Sequence, residues 1–471
     1  MITLKDIIFS LTGVEATQSD ILTTSTVIDS RSVIPGSLFV ALKGERSNGH
    51  DFIHSAFEKG AIFALVQETI PANIRVLDLR HIKTSQDLVI PQAPFCIRVD
   101  NCLEALQEIS RYWRKKNRMK VIAITGSVGK STTKELAAEV LSYKFHTARN
   151  PGNYNNEIGL PLTILNLGDG YEVLVLEMGF YYPGEIDFLC GIAKPDVGII
   201  TNIGTVHAER AGSKEAIAKG KAELVEALPA DGVAILNYDD PYVRAMSSDT
   251  KAQIIFYGLN PNAHVWADEI QGLGLKGIRF QMHYRGKTIT LEVPMLGRHS
   301  VQTILRASAA GFAQGMTIQE VAEALLTSNT QLRLVAVETT AGALILDDTY
   351  NATPESTVAA LDLLAELDGQ KIAVLGDMLE LGDYEKAGHE IVGRRAAEVV
   401  NHLIAVGPRS QVIAESAKLQ GLPLTAVTWV ANATQAAELL KYNLNAGDVV
   451  LIKGSHGLRM DRISPILEEI A

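Results

Sequence analysis

The sequence predicts an α/β protein of three domains, the middle one a parallel sheet with a phosphate-binding loop. Three observations carry that expectation. The chain has 471 residues, too many for one core at about 100–200 residues per domain; two to four domains are expected and three is the middle value. From Lys120 onward, short apolar runs alternate with helical segments, as in a parallel sheet covered by helices. One of those runs opens into Gly126-Ser127-Val128-Gly129-Lys130-Ser131, a glycine-rich turn leading straight into a helix.

The elements follow in order. Residues 1–100 form the first domain, with short β-rich stretches and many turn residues. Residues 37–42 read as a strand ended by Lys43-Gly44, and 51–59 as a short helix ended by Gly60. A helix over 103–116, carrying Arg111, Arg114, Lys115 and Lys116, connects into a second domain spanning 101–330. There Val121-Ile122-Ala123-Ile124 is a buried strand and 130–141 a helix. Further strands are expected at 173–176, 197–201, 233–236 and 254–257. Residues 278–293 alternate around Arg285-Gly286 and read as a hairpin. The third domain, 331–471, begins near Arg333, with runs at 343–346, 372–375, 403–406, 426–430 and 449–452. Thr317-Ile318-Gln319-Glu320 has capping-box spacing, and Thr353-Pro354 suits an N-cap and first helical residue.

Composition excludes several classes. Hydrophobic residues make up 47% of the chain, too many for a disordered protein. A net charge of -11 disfavours nucleic-acid binding, which needs a basic surface, while leaving room for a local cationic pocket. Cys96, Cys102 and Cys190 form no Cys-x-x-Cys pair, so neither a disulfide framework nor a thiolate zinc site is expected. Met1 to Asp6 lacks a signal-peptide pattern, and no apolar run reaches the roughly 18 residues that span a bilayer. The expectation is a cytoplasmic protein without membrane insertion.

The glycine loop carries the chemistry. A loop between a buried strand and a helix aims backbone N–H groups at a phosphate, and the helix N-terminus adds positive potential. Lys130 would neutralise phosphate charge and the Ser131 or Thr132 hydroxyl would face Mg2+. Only two residues separate Gly126 from Gly129, fewer than in the general G-x-x-x-x-G-K-[ST] pattern, and an ordinary strand-to-helix turn is the competing reading. Glu177 and His207 follow later strands. Ligands collect at the carboxyl ends of parallel strands, so both are candidate Mg2+ ligands; the plainer alternatives are a solvated strand end and a loop hydrogen-bonder.

Lys221 shares one helix face with Ile217, Leu224 and Leu228, whereas Lys219 neighbours Glu215 and Glu223 as a solvent-facing residue would. A lysine inside an apolar stripe either snorkels or has a function. In the third domain Asp347-Asp348, Gly376-Asp377 and Lys453-Gly454-Ser455 end strands and together suggest one cleft rim.

These residues resemble the Mur ligases, ATP-dependent amide-forming enzymes of peptidoglycan precursor synthesis, over essentially the whole chain. Residues 125–133 are similar to that family's short phosphate loop, and Asn150-Pro151-Gly152-Asn153-Tyr154-Asn155-Asn156-Glu157-Ile158-Gly159 to the segment that follows it. Asp347-Asp348-Thr349-Tyr350-Asn351-Ala352-Thr353-Pro354 and Gly376-Asp377-Met378-Leu379-Glu380-Leu381-Gly382 resemble the C-terminal motifs of the member that adds D-alanyl-D-alanine. Asp29-Ser30-Arg31 and Phe39-Val40-Ala41-Leu42-Lys43-Gly44 resemble its UDP-sugar-binding pattern. The sequence departs from the family where Ser300 and Thr303 replace two asparagines, and at Thr353, Asn48 and His456.

The resemblance implies a small N-terminal UDP-binding α/β domain, a central ATPase domain and a C-terminal Rossmann-like domain. The implied substrates are ATP, UDP-N-acetylmuramoyl-tripeptide and D-alanyl-D-alanine, with two Mg2+ ions and a carbamylated Lys221. It assigns catalysis to Lys130, Lys221, His207 and Asp348. ATP falls to Thr125, Gly126, Ser127, Val128, Gly129, Lys130, Ser131, Thr132, Asn237, Arg333 and Asp348. The other substrates fall to Ser30, Arg31, Lys43, Asn155, Asn156, Tyr350 and Asn351, and metal to Ser131, Glu177, His207 and Lys221. The implied reaction passes through an acyl phosphate in a monomer whose domains close. Two rivals remain: folylpolyglutamate synthase, which lacks the Asp29-Ser30-Arg31 domain, and an ATP-binding switch that forms no amide.

Overall fold

The computed structural model describes residues 1–16, 20–205, 208–327 and 335–468. The chain forms two compact units. One comprises Met1–Ala123, Phe145–Gly179 and Glu185–Asp196; the other comprises Ile124–Lys144, Phe180–Gly184 and Val197–Ala471. The domain boundary expected at 330/331 lies outside the described residues.

The first unit opens on helix Leu4–Thr12. Thr3 and Asp6 form its capping box, and Gly13 ends it at φ 72°. Five parallel strands follow, ordered in space Thr26–Val27, Leu38–Val40, Phe63–Val66, Phe95–Arg98, Val76–Asp78. Phe39, Phe63 and Phe95 are fully buried, the last two with ring centroids 4.9 Å apart. Helix Cys102–Lys116 starts where Asn101 Oδ1 accepts the Leu103 and Glu104 amides. Its cations differ in role: Arg114 is buried and donates to the carbonyls of Ala193 and Lys194, which end helix Glu185–Ala193. Strand Val173–Glu177 pairs in parallel with Thr147–Arg149. All three cysteines are buried and none is in a disulfide; burial pushes Cys96 and Cys102 up to about 12.

In the second unit, Val197–Ile200, Val233–Asn237 and Gln253–Gly258 run parallel in that order. The expected hairpin is present: Ile278–Tyr284 pairs antiparallel with Lys287–Val293, with Arg285 and Gly286 both at positive φ. The sequence reading missed strand Val265–Gly272, which joins the two patterns. It pairs in parallel with the strand before it and antiparallel with the hairpin. A register shift between Asp268 and Gln271, with Glu269 at φ 48°, breaks its alternation and hid it.

A six-stranded sheet closes the chain, ordered Val335–Glu338, Leu344–Asp347, Asp448–Lys453, Gln370–Gly376, His402–Val406, Val427–Val430. The five runs expected there are all strands, mutually parallel; the added edge strand Val335–Glu338 is antiparallel. Successive side chains enter two different cores. Leu346, Ala373, Leu375, Leu403 and Leu451 enter one, and Ile345, Val374, Ile404, Val450 and Ile452 the other. Both expected helix starts are present: Thr317 exchanges bonds with Glu320, and Thr353 caps Pro354–Ala365. Among the described residues no helix is long and apolar enough to cross a membrane.

Candidate active site

Strand Lys120–Thr125 is buried from Val121 onward and ends at Gly126, φ 146°. A Cβ there would lie 1.8 Å from Thr201 Oγ1, so only glycine fits. The loop is then splinted by Asn202, whose backbone oxygen accepts the Ser127 amide and whose Oδ1 accepts the Val128 amide, both at 2.9 Å. Ser127 Oγ accepts the Gly204 amide at 2.8 Å. Ser127 and Val128 thus spend their N–H groups on the protein. Gly129, φ 83°, turns the chain into helix Lys130–Ser142. The first-turn amides of that helix have no helical acceptor, which leaves a donor set suited to an anion. Ser131 and Thr132 lie half-buried in that turn.

Two lysines converge on the loop from within. Lys130 Nζ donates to the carbonyls of Gly126 (2.8 Å) and Ser127 (3.2 Å). Lys221 Nζ donates to the same Gly126 carbonyl at 3.0 Å. Lys221 lies in helix Lys214–Glu226 and is fully buried, with Nζ 4.5 Å from the Phe180 ring centroid. Snorkelling is thereby excluded. Burial, reinforced by the charge of Lys130, drives its amine well below the usual lysine value of 10.5, towards the neutral form. Phe180 reaches this position because residue 220 is glycine, where a Cβ would lie 2.1 Å from Cε2. Asn237 Nδ2 donates to the Thr201 carbonyl at 3.1 Å, behind the loop.

The acidic candidate sits in the first unit. Glu177 ends its strand and is only 3% exposed, not a solvated terminus. Asn155 Nδ2 donates to Glu177 Oε1 at 2.9 Å, while Asn150 Oδ1 accepts the Glu177 amide at 2.9 Å. Glu177 Oε2 is buried with no hydrogen-bond partner among the described residues. An orphaned buried carboxylate oxygen is costly unless a cation fills the gap, so Glu177 fits a metal ligand. Among the described residues no three acidic, histidine or cysteine side chains group around a metal position. Asn156 Oδ1 instead accepts the Ile158 and Gly159 amides at the start of helix Gly159–Leu165.

At the N-terminal candidates, Asp29 caps the turn Ser30–Ser32. Arg31 grips Asp29 at 2.7 Å in an exposed pair, whose hydrogen bonds lower Asp29 to about 2. Ser30 accepts Lys59 Nζ through its carbonyl at 3.0 Å, and Lys43 is exposed, bridged to Asn48.

The polar strand ends of the last sheet do meet. Buried Lys453 donates to Asp348 Oδ2 at 2.6 Å and to the Asn351 carbonyl at 2.8 Å. Burial lowers the proton affinity of His299, against the charge of Asp348. Ser455 N donates to the Asp377 carbonyl, and Asp377 Oδ1 accepts the Ser410 amide at 2.7 Å. Tyr350 is half-exposed, and Asn351 Oδ1 accepts the neighbouring Ala352 amide. The sequence reading missed Asn202, Arg306 and Glu355, whose Oε1 lies 3.3 Å from the Cβ position of Gly204. His207 and Arg333 lie outside the described residues.

The fold is α/β, and its glycine-rich loop between a buried strand and a helix belongs to the class suited to holding a phosphate. Family models match along its length: Mur ligase family, catalytic domain, at residues 23–114; Mur ligase middle domain at 124–311; and Mur ligase, glutamate ligase domain, at 332–456. The UDP-N-acetylmuramoyl-tripeptide--D-alanyl-D-alanine ligase of Bacillus subtilis is 34% identical over 92% of this chain and 91% of its own length. The chain belongs to the Mur ligase family. Among solved structures, MurF from Acinetobacter baumannii superposes with a TM-score of 0.83 at 29% identity, over 99% of this chain and 98% of the other. MurF ligase from Thermotoga maritima, solved in complex with ADP, gives 0.81 at 28% identity, over 96% and 98%.

Proposed function

We propose that this chain joins D-alanyl-D-alanine to UDP-N-acetylmuramoyl-tripeptide at the expense of ATP, in peptidoglycan precursor synthesis. The observation that carries this reading is the end-to-end similarity to the Bacillus subtilis ligase. The phosphate loop with its two lysines supplies the matching chemistry. A carboxylate is a poor acyl donor because oxide would have to leave. Its oxygen therefore attacks the γ-phosphorus, ADP departs and an acyl phosphate forms. The amine of D-alanyl-D-alanine then attacks the acyl carbon, phosphate leaves with the bond electrons, and the amine proton is lost.

Two anions meet in the first step, so charge neutralisation governs its rate. Lys130 exchanges its loop carbonyls for phosphate oxygens, and the amides opening helix Lys130–Ser142 take the remainder. Thr125 and Gly126 to Thr132 line the nucleotide, with Asn237, Arg333 and Asp348. Ser131, Glu177 and His207 would hold Mg2+, which would screen the phosphate charge. Asn155 orients Glu177. Ser30, Arg31 and Lys43 receive the UDP-sugar, with Asn155 and Asn156; Tyr350 and Asn351 face the incoming dipeptide.

The lowered proton affinity of the buried Lys221 amine supports a finer proposal: it adds CO2, loses a proton and becomes a carbamate that could hold a second Mg2+. The 3.0 Å bond to Gly126 favours a second reading, in which the amine braces the loop. Mass spectrometry of the intact protein in 13C-bicarbonate separates the two, since only a carbamate gains the label. Division at residues 1–100, 101–330 and 331–471, a cytoplasmic location and a monomeric state belong to the same proposal. The function is tested by supplying ATP, UDP-N-acetylmuramoyl-tripeptide and D-alanyl-D-alanine. Phosphate and UDP-N-acetylmuramoyl-pentapeptide should form only when all three are present. Amide formation from a free diamino acid and the dipeptide precursor would overturn the assignment. Competition between lysine- and diaminopimelate-containing tripeptides identifies the third residue.

A further inference from the structure

Arg306, in helix Ser300–Ala313, is a cation that the scheme above does not use. Its residue is 6% exposed. Nη2 donates to Thr303 Oγ1 at 2.7 Å, one turn earlier on the same helix. Nε is buried without a hydrogen-bond partner, and no carboxylate pairs with the guanidinium among the described residues. Its Cζ lies 5.8 Å from the Tyr257 ring centroid. Tyr257 is itself fixed: its hydroxyl donates to the carbonyls of Ile200 and Thr201 at the strand end behind the phosphate loop.

The position of this charge matters. A Cβ on Gly129 would lie 2.9 Å from Arg306 Nη2 and 3.6 Å from Cζ. The guanidinium therefore packs against the residue that turns the loop into its helix, beside the first-turn amides. An unpaired buried cation costs several kcal/mol unless an anion joins it. A guanidinium offers five donors in a planar fork suited to phosphate; here, among the described residues, it bonds Thr303 and interacts with the Tyr257 hydroxyl, which leaves donors to spare.

We propose that Arg306 is a nucleotide-binding residue, donating to a polyphosphate oxygen of ATP or ADP from the helix Ser300–Ala313 side of the loop. The inference rests on the reading that this loop binds ATP. Glycine at 129 then has two reasons: its positive φ, and the clearance that lets the guanidinium reach the loop.

ADP binding by titration calorimetry tests this with wild type, Arg306→Met and Arg306→Lys, each checked for folding by its thermal transition. Loss of a charge-assisted contact should weaken ADP about 10- to 100-fold in Arg306→Met, with a smaller loss in Arg306→Lys. KM for ATP should rise in parallel while KM for the UDP-substrate stays unchanged. ADP affinity should also fall less steeply with added salt in Arg306→Met, because one charge contact is gone. Arg306→Met binding ADP within twofold of wild type overturns the proposal, as does an unchanged salt dependence. If Arg306→Met does not fold, Arg306→Lys decides: ADP binding equal to wild type overturns it. Wild type failing to bind ADP would instead overturn the phosphate-loop reading itself.

Discussion

Replacing Lys221 by methionine removes a buried amine while keeping an unbranched side chain of similar volume against Phe180. The Gly126 carbonyl loses one donor but keeps Lys130 at 2.8 Å, so no orphaned acceptor results. What changes is the proton balance. Burial and the Lys130 charge hold the folded amine well below 10.5, whereas the unfolded amine titrates near 10.5. Between the two values the unfolded chain carries a proton that the folded chain lacks. Raising the pH through that window favours folding, and lowering it favours unfolding. The slope for one full proton is about 1.4 kcal/mol per pH unit. Wild type should therefore gain in stability relative to Lys221→Met as the pH rises from 7 to 9, with that slope as the upper limit. The assay is denaturant unfolding of both proteins across that range in CO2-free buffer. Parallel stability curves would refute the reasoning, because they would mean that the folded amine binds its proton as a free lysine does. Adding bicarbonate extends the test. On the carbamate reading CO2 adds only to the folded wild type, so bicarbonate should stabilise wild type and leave Lys221→Met unchanged, whereas an amine that only braces the loop predicts no effect on either. Ligation should be nearly abolished in the variant while ADP binding persists.

Two further outcomes follow from the same site. Gly126→Ala places a Cβ 1.8 Å from Thr201 Oγ1 and 3.0 Å from the Thr201 amide nitrogen at φ 146°. Strain of about 1–3 kcal/mol and overpacking of about 1–3 kcal/mol should lower the melting temperature and remove ADP binding; calorimetry showing neither would refute the steric account. Glu177→Gln keeps the oxygen that Asn155 bonds and replaces the anionic, unpartnered one by an amide. Half-saturating Mg2+ should rise at least about tenfold, with Mn2+ binding weakened in electron paramagnetic resonance; an unchanged metal dependence would remove Glu177 from the ligand set.

The fold was legible wherever a strand is buried on both faces. Val121 to Ile124 and four of the five runs of the last sheet are uninterrupted apolar stretches, and all are strands; the fifth, Val427–Val430, is interrupted by Thr428 and lies at the sheet edge. Val265–Gly272 escaped notice because its bulge at Glu269 breaks the alternation. Lys221 was legible as one polar residue in an apolar stripe, but its burial was not, since snorkelling and full burial share one pattern. Asn202 and Arg306 left no local trace. Both act on the loop from residues distant in sequence, and only the folded chain brings them to Ser127, Val128 and Gly129.

The short loop explains why those distant residues are needed. With two residues between its glycines, it has few amides to offer, and two of them are already bonded to Asn202. Those bonds fix the loop's shape and remove donors from the phosphate. Basic side chains must then supply what the amides do not, and three are in place. Lys130 lies within the loop, Lys221 beneath it, and Arg306 against Gly129. Burial, reinforced by the neighbouring charge of Lys130, lowers the Lys221 amine towards its neutral form. Lys130 and Arg306 are then the side chains placed to meet phosphate, while Lys221 suits chemistry that needs a neutral nitrogen.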